Sequence, residues 1–325
     1  MRARSIYVNG NYMVSSDFFG NTRRFSTLRI GEDFMPDFPD SVDLKITNKC
    51  SNNCPYCHES SNISGKSFNY EDTKKMLEGL PNKEIEIAIG GGNIFECFDD
   101  FKKLLFFCVR SRNFYTRATF NVRDLLDIDK YDKVGELVRD NYLGALGVSI
   151  ETWEQFIKFK EVFLQSNIFF RSNRLVFHIV IGIFPLDRLK DFIKYCEISG
   201  FGVLILGFKT FGRGINFKLK NSIDDWKKEL SKLLFNERII KDENEHFLLI
   251  GFDNLAIDQI SLKDMILKSE WDKYYLGQDF SHTMYIDAVD KYYAPTSRSP
   301  YSDRVSWDSY NSVVDYFKNN HNSWN

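Results

Sequence analysis

The sequence predicts an α/β fold in which helices cover a mainly parallel β-sheet. Six apolar, strand-like runs follow one another along the chain, segments with helical periodicity separate them, and several runs are apolar enough for burial on both faces. The runs span residues 42–47, 85–89, 116–120, 145–150, 175–183 and 202–208. The helical segments span 70–80, 98–109, 130–139, 153–163, 186–198 and 222–234. Six such units can close partly into a barrel or lie open, and in both cases ligands bind at the carboxyl ends of the strands.

Different patterns flank the six units, which occupy residues 41–235. Residues 1–40 are expected to form an N-terminal β-hairpin extension, because apolar runs at 6–8 and 12–14 flank Asn9-Gly10, a strong hairpin signal. Residues 236–325 predict a strand over 246–252, a helix over 254–267, a hairpin over 284–294 that turns near Asp290, and a helix over 308–318. We interpret this tail as a small C-terminal α+β cap.

Composition and charge narrow the class of protein. Of 325 residues, 43% are hydrophobic and 27% are charged, which is typical of a globular chain and excludes a disordered one. The 43 basic and 45 acidic residues give a net charge of −2, so the chain lacks the bulk charge of a nonspecific nucleic-acid binder, although a local basic patch stays open. No apolar run has the length of a membrane span or of a signal-peptide core. We therefore expect a cytoplasmic protein with no membrane partner.

Three of the six cysteines lie within eight residues, directly after the first strand of the six. Cys50, Cys54 and Cys57 have the spacing C-x3-C-x2-C. Three thiolates on one loop can hold three irons of a 4Fe–4S cluster and leave the fourth iron open to a ligand. A structural zinc site with His58 as the fourth ligand and three incidental cysteines are the alternatives. The length of the chain and the absence of an export signal argue against a disulfide framework.

The cysteine spacing, with Tyr56 just before the third cysteine, resembles the signature of the radical S-adenosylmethionine (SAM) superfamily, and the resemblance extends over about residues 42–210. It implies a partial (β/α)6 TIM-like barrel and one 4Fe–4S cluster on Cys50, Cys54 and Cys57, with SAM chelated by the open iron. The implied reaction is reductive cleavage of SAM to a 5′-deoxyadenosyl radical that abstracts hydrogen from a substrate. An electron donor such as flavodoxin or ferredoxin would be the partner.

The same resemblance implies a set of SAM contacts. The Gly-rich turn that ends at Asn93 stands where the family has Gly-Gly-Glu-Pro, so the usual carboxylate contact to the SAM amino group is replaced by an amide. Polar residues end the third and fourth strands, and the fifth strand, with His178 as a core residue, resembles the segment that packs on adenine. The expected SAM contacts are Tyr56, Gly91, Gly92, Asn93, Asn121, Ser149 and the strand around Ile181.

A glycine-rich basic segment follows the sixth strand. Lys209 and Arg213 stand among Gly207, Gly212 and Gly214, an arrangement that predicts an anion site for the SAM carboxylate or for an anionic group of the substrate. The alternative is a solvated loop.

The tail resembles the hairpin that opens SPASM and twitch extensions of the family. There a cysteine after the hairpin binds an auxiliary cluster, whereas here Ala294-Pro295 stands at that place and no cysteine follows Cys196. We therefore expect a remnant without an auxiliary cluster. This resemblance favours a peptide or protein side chain as substrate; a nucleotide, nucleobase or small metabolite is the alternative, and a noncatalytic zinc-binding module is the alternative outside enzymes.

Overall fold

The computed structural model describes residues 3–17, 22–25, 33–166, 174–236, 250–275 and 277–321. The N-terminal strands β1 (Ala3–Asn9) and β2 (Tyr12–Asp17) pair antiparallel around Gly10, where the sequence predicts a hairpin turn. A third strand, β3 (Thr22–Phe25), extends this sheet and was not predicted. The side chains of Asn9, Tyr12 and Arg24 converge on the buried carboxylate of Asp40, so polar contacts hold this small sheet to the chain just before the main sheet begins.

The predicted parallel sheet is confirmed. Its six central strands lie side by side in chain order, and each neighbouring pair is parallel. They are β4 (Ser41–Thr47), β5 (Glu86–Gly91), β6 (Tyr115–Asn121), β7 (Ala145–Ser149), β8 (Leu175–Val180) and β9 (Gly202–Leu206). All six therefore end at the same edge of the sheet.

The tail adds strands to both sides of this sheet. On one side β10 (Ile250–Phe252) pairs parallel with β9; residues 246–249 of the predicted strand lie outside the described residues. On the other side β11 (Thr283–Asp287) pairs parallel with β4, and the antiparallel strands β12 (Tyr292–Ala294) and β13 (Val305–Ser306) follow. The sheet thus has ten strands in the described part of the chain, eight of them parallel.

Helices follow most of the strands. Those predicted among the six central units lie close to their predicted bounds, whereas the two predicted in the tail differ: Asn254–Ile260 ends seven residues before the predicted end of 254–267, and Val313–Asn320 begins five residues after the predicted start of 308–318. The helices are α1 (Tyr70–Glu78), α2 (Phe98–Phe106), α3 (Val122–Leu125), α4 (Ile128–Arg139), α5 (Trp153–Gln165), α6 (Leu189–Ser199), α7 (Ile223–Ser231), α8 (Asn254–Ile260), α9 (Lys268–Tyr274) and α10 (Val313–Asn320). Local signals set their ends: Thr152 and Gln155 form a capping box at the start of α5, and Gly200 ends α6 with a φ of +69°. In the described ranges no helix combines the length and apolarity of a membrane crossing.

The two faces of the sheet differ in chemistry. One face packs against the helices, and there Phe177 contacts the rings of Phe156, Phe192 and Phe201 at centroid distances of 5.3–5.7 Å. Each fully buried phenylalanine contributes roughly 1.5–3 kcal/mol, so this aromatic layer is a large part of the core. β7 is buried on both faces over most of its length, as predicted, whereas β8 alternates between buried and half-buried residues.

Charged and polar residues occupy the alternate positions of the strands. They include Asp43, Lys45, Glu86, Arg117, Thr119, Asn121, Ser149, His178, Tyr285 and Asp287. Because successive strand residues point to opposite faces, these side chains share the face away from the Phe177 layer. We call it the polar face.

Candidate functional site

The three clustered cysteines lie on the loop that joins β4 to α1, at the carboxyl end of β4. Main-chain hydrogen bonds fold the loop back on itself: Asn48 N donates to Lys66 O at 2.7 Å, and Cys50 N donates to Asn62 O at 2.8 Å. Cys50 is buried, Cys54 and Cys57 are half-buried, and all three thiols are free. The loop therefore presents three cysteines free of disulfide bonds at a strand end; we call residues 48–66 the cysteine loop.

Cys54 lies among charged groups from the next strands. Its Sγ is 3.4 Å from Glu151 Oε1, 3.9 Å from Asn121 Nδ2 and 4.0 Å from Arg123 Nη1, and Arg123 also pairs with Glu151. Burial, and then the Glu151 carboxylate, raise the pKa of the Cys54 thiol to about 12, so in this arrangement the thiol is protonated and donates to Glu151. Within the residues described, no three His, Cys, Asp or Glu side chains converge into a set able to hold a metal ion.

The Gly-rich turn at the end of β5 packs directly on the start of the cysteine loop. Gly92 N donates to Thr47 O at 2.7 Å, and Asn93 N donates to Lys49 O at 2.8 Å. A Cβ on Gly91 would lie 2.5 Å from Thr47 O, and one on Gly92 would lie 2.4 Å from Lys49 O. These two glycines are required because backbone meets backbone here.

The Asn93 side chain connects three segments. Its Oδ1 accepts from Phe95 N at 3.0 Å, while its Nδ2 donates to Ser51 Oγ at 3.2 Å and to Asp124 Oδ1 at 3.0 Å. The residue is buried. Asn93 therefore links the glycine turn to the cysteine loop and to α3.

The other predicted SAM contacts also lie at the carboxyl ends of the strands. Asn121, Ser149 and His178 occupy matched positions on β6, β7 and β8. Ile181 continues β8, and its buried N–H donates to Leu206 O at 2.9 Å. Tyr56 interacts through its hydroxyl with Glu151, and burial followed by this carboxylate raises the Tyr56 pKa. The fold thus brings these residues to one edge, and their contact with SAM stays a prediction.

Arg213 lies against the cysteine loop. Its Nε donates to Cys54 O at 2.9 Å, its Nη1 donates to Ser61 O at 3.0 Å, and its main-chain N donates to Cys57 O at 3.0 Å. Among the residues that the structure describes, its buried Nη2 meets no hydrogen-bond acceptor. Arg213 therefore braces the loop, and only Nη2 is left for the predicted anion contact.

Lys209 points to the tail and to His58. Its Nζ donates to Ser297 Oγ at 2.8 Å and lies 3.4 Å from His58 Nε2, and burial lowers the pKa of Lys209. His58 Nε2 is also 3.7 Å from Glu59 Oε1. Burial and then Lys209 hold the His58 pKa well below its usual range. This arrangement directs His58 to Lys209 and Glu59, which does not favour a zinc site shared with the cysteines.

A buried ion-pair network joins the cysteine loop to the tail. Lys45 Nζ is 2.8 Å from both Glu59 Oε2 and Asp287 Oδ2, and Arg304 reaches Asp287 at 3.1 Å and Glu59 at 3.7 Å. None of these side chains is more than 8% exposed. We call these four residues the buried ion-pair network. Sequence reasoning missed it because its members are far apart in the chain.

Sequence reasoning also missed Arg123, Asp124 and Glu151. All three follow predicted strands within three residues of Asn121 or Ser149. The rule that led to Asn121 and Ser149, polar residues just after parallel strands, extends to them.

Sequence comparisons with known proteins match only parts of the chain. No protein-family model matches the chain. Over 46 residues it is 44% identical to the 7,8-dihydro-6-hydroxymethylpterin dimethyltransferase of Methanocaldococcus jannaschii, which covers 14% of this chain and only 9% of that protein. Over 221 residues it is 23% identical to an uncharacterized protein of the same organism, covering 61% of this chain and 73% of that protein.

Three solved structures give the more extensive likeness. SuiB of Streptococcus suis bound to S-adenosylmethionine matches with a TM-score of 0.62 and 14% identity over 87% of this chain and 66% of SuiB. SuiB bound to the precursor peptide SuiA matches with a TM-score of 0.60 and 14% identity, over 91% of this chain and 83% of SuiB. Native anSMEcpe with bound AdoMet matches with a TM-score of 0.58 and 14% identity, over 87% of this chain and 82% of anSMEcpe. These neighbours are radical SAM enzymes, and the chain shares their mixed α/β fold with a large parallel sheet.

Proposed function

We propose that this chain is a radical SAM enzyme with a partial (β/α)6 barrel, in which Cys50, Cys54 and Cys57 hold one 4Fe–4S cluster and SAM lies across the strand ends. The observation that carries this proposal is the position of the three-cysteine loop. It leaves the carboxyl end of β4 beside the glycine turn of β5, in a chain with the fold of enzymes solved with SAM. Parallel α/β folds bind their ligands at this edge.

The chemistry of the donor set fits the cluster. Three cysteines free of disulfide bonds lie on one loop, and thiolates are the ligands of iron–sulfur clusters; their side chains would converge on the bound irons. Asn121 Nδ2 and Arg123 Nη1 point to Cys54 Sγ, and such N–H donors stabilise charge on a ligating sulfur. Ligation would take Cys54 away from Glu151, which keeps Arg123 as a partner.

The residues of the chain would bind and orient the cofactor and the substrate and would exclude water, whereas the bound groups would supply the reaction chemistry. A cluster held by Cys50, Cys54 and Cys57 would supply the electron for the cleavage of SAM, and SAM would supply the 5′-deoxyadenosyl radical that abstracts hydrogen from the substrate. Asn121 and Ser149 offer hydrogen bonds from adjacent strands, and the glycine turn and the backbone at Ile181 lie at the same edge of the sheet. A flavodoxin or ferredoxin would donate the electron.

We further propose that the substrate is a peptide or protein side chain that reaches the polar face. The support is that SuiB, a structural neighbour over 91% of this chain, has been solved with a precursor peptide. Asp43 lies on the polar face, accessible to solvent but surrounded by protein atoms that raise the pKa of its carboxyl to about 6, and it could accept hydrogen bonds from a substrate group there.

Anaerobic purification and reconstitution test the enzyme proposal. The wild type should hold about four irons per chain and, with dithionite, release 5′-deoxyadenosine from SAM. The variant with Cys50, Cys54 and Cys57 all changed to Ala should do neither, whereas Cys97→Ala, which changes a half-buried cysteine outside the loop, should do both. Stoichiometric zinc in place of iron, or a cluster retained by the triple variant, would overturn the proposal.

A further inference from the structure

A buried carboxylate on α3 collects hydrogen bonds from both halves of the candidate cofactor site. Asp124 Oδ2 accepts from Asn52 Nδ2 at 2.8 Å, and Oδ1 accepts from Asn93 Nδ2 at 3.0 Å and from Lys130 Nζ at 3.3 Å. The side chain of Asp124 is 8% exposed. A buried carboxylate needs such partners, and each charge-assisted bond is stronger than a neutral one.

The two asparagines come from different segments. Asn52 lies in the cysteine loop, between Cys50 and Cys54, and Asn93 ends the glycine turn after β5. Asn93 also donates to Ser51 Oγ at 3.2 Å, so the same loop is held at two neighbouring residues. One carboxylate therefore ties the loop with the thiols to the turn that faces it.

The position of the Asp124 carboxylate next to Asn93 gives a second reason to connect Asp124 with the cofactor site. Residue 93 is an uncharged amide, yet a carboxylate oxygen lies 3.0 Å behind it. Lys130 offsets part of this charge, but its side chain is 38% exposed and hence partly screened by water. Asp124 therefore places a buried carboxylate in direct contact with the amide at position 93.

We propose that Asp124 is a positioning residue of the cofactor site: its carboxylate fixes the cysteine loop against the glycine turn, and it supplies through Asn93 the negative charge that favours the ammonium group of SAM. The second half of this proposal rests on the proposed function. The first half concerns the fold of the loop and can be measured without any metal.

The experiment uses the full chain with three variants. Asp124→Asn keeps the shape, removes the charge and turns an N–H group toward Asn52 or Asn93, where a donor already points. The double variant Asn93→Asp with Asp124→Asn moves the charge to position 93 and restores a carboxylate–amide pair. Asp129→Asn is the matched control, since Asp129 is an exposed aspartate five residues away.

Hydrogen exchange on the metal-free proteins reports the position of the loop. We expect amides of residues 50–56 to exchange at least threefold faster in Asp124→Asn than in wild type, and to return to within twofold of wild type in the double variant. On reconstituted protein, the Kd for SAM should rise about tenfold in Asp124→Asn, because the negative charge next to Asn93 is lost, and it should recover in the double variant, which places a carboxylate at position 93.

The outcomes separate the two proposals. If Asp124→Asn matches Asp129→Asn in both exchange and SAM affinity, or if the double variant restores neither, the positioning role is wrong. If the wild type binds no iron, the proposed function fails, and exchange in the metal-free proteins still decides whether Asp124 positions the loop.

Discussion

At the scale of single residues, two glycines of the turn at the end of β5 differ in the space available for a side chain. A Cβ on Gly92 would lie 2.4 Å from the carbonyl oxygen of Lys49, whereas a Cβ on Gly90 would meet nothing within 4 Å. We expect Gly92→Ala to push the cysteine loop away from β5, at a cost of about 1–3 kcal/mol, and to lower the iron bound after reconstitution. Gly90→Ala is the matched control. Iron analysis and urea unfolding check this, and equal iron content in the two variants would contradict it.

Arg213 gives a second residue-scale prediction, because the structure assigns it partners that the sequence did not suggest. Arg213→Lys keeps the charge but loses the fork that reaches Cys54 O and Ser61 O. We expect faster loss of iron to a chelator, with unchanged SAM affinity in the protein that keeps its cluster. Lys218→Ala, at an exposed cation in the same segment, controls for charge. An intact cluster with weakened SAM binding would instead support the anion-binding role predicted from the sequence.

Residues of the candidate site could be predicted from the sequence only where they lie close to one another in the chain. Cys50, Cys54 and Cys57 are separated by two or three residues, so their spacing alone indicates a shared site. The contacts of Asn93 and Arg213 could not be found this way, since Asp124 lies 31 residues from Asn93, and Cys54 lies 159 residues from Arg213. Only the folded chain brings such partners together.

At the scale of elements, the six central strands and the helices after them could be predicted because each carries its own apolar pattern. β10 and β13 have three and two residues, too few for a periodic signal. The parallel pairing of β11 with β4 joins residues 242 positions apart, such as Lys45 and Asp287, and no local pattern encodes it. The polar face was not predicted either, because it becomes apparent only when the alternate positions of neighbouring strands lie side by side in the sheet.

The buried ion-pair network supplies the element-scale prediction. Asp287→Asn removes one of two carboxylates that neutralise Lys45 and Arg304, and its Oδ1 can still accept from Val289 N and Asp290 N. Breaking a buried pair leaves an uncompensated charge, so we expect a loss of about 3–5 kcal/mol in the free energy of unfolding. Asp290→Asn, at an exposed position of the same hairpin, should change it by less than about 0.5 kcal/mol. Urea unfolding at pH 7 measures both, and equal midpoints would mean that the network is dispensable.

At the scale of the whole molecule, the tail and the central strands share one sheet. β11 pairs along five residues with β4, and β4 leads into the cysteine loop. The tail therefore borders the strand that positions the cysteine loop, so unfolding of the tail should destabilise that strand. This arrangement favours a single cooperative unit over a core with a separable cap.

Met284→Ala tests this cooperativity. Met284 lies on β11 and is 1% exposed, so its truncation should lower the free energy of unfolding by about 2–5 kcal/mol. The neighbouring Thr283 is exposed, and Thr283→Ala on the same strand is the control. In a cooperative unit, hydrogen exchange under mild denaturant should accelerate by the same factor in β11 and in β4, because both open in one global step. If protection is lost in β11 while β4 keeps its wild-type rate, the tail unfolds separately and the cysteine loop does not depend on it.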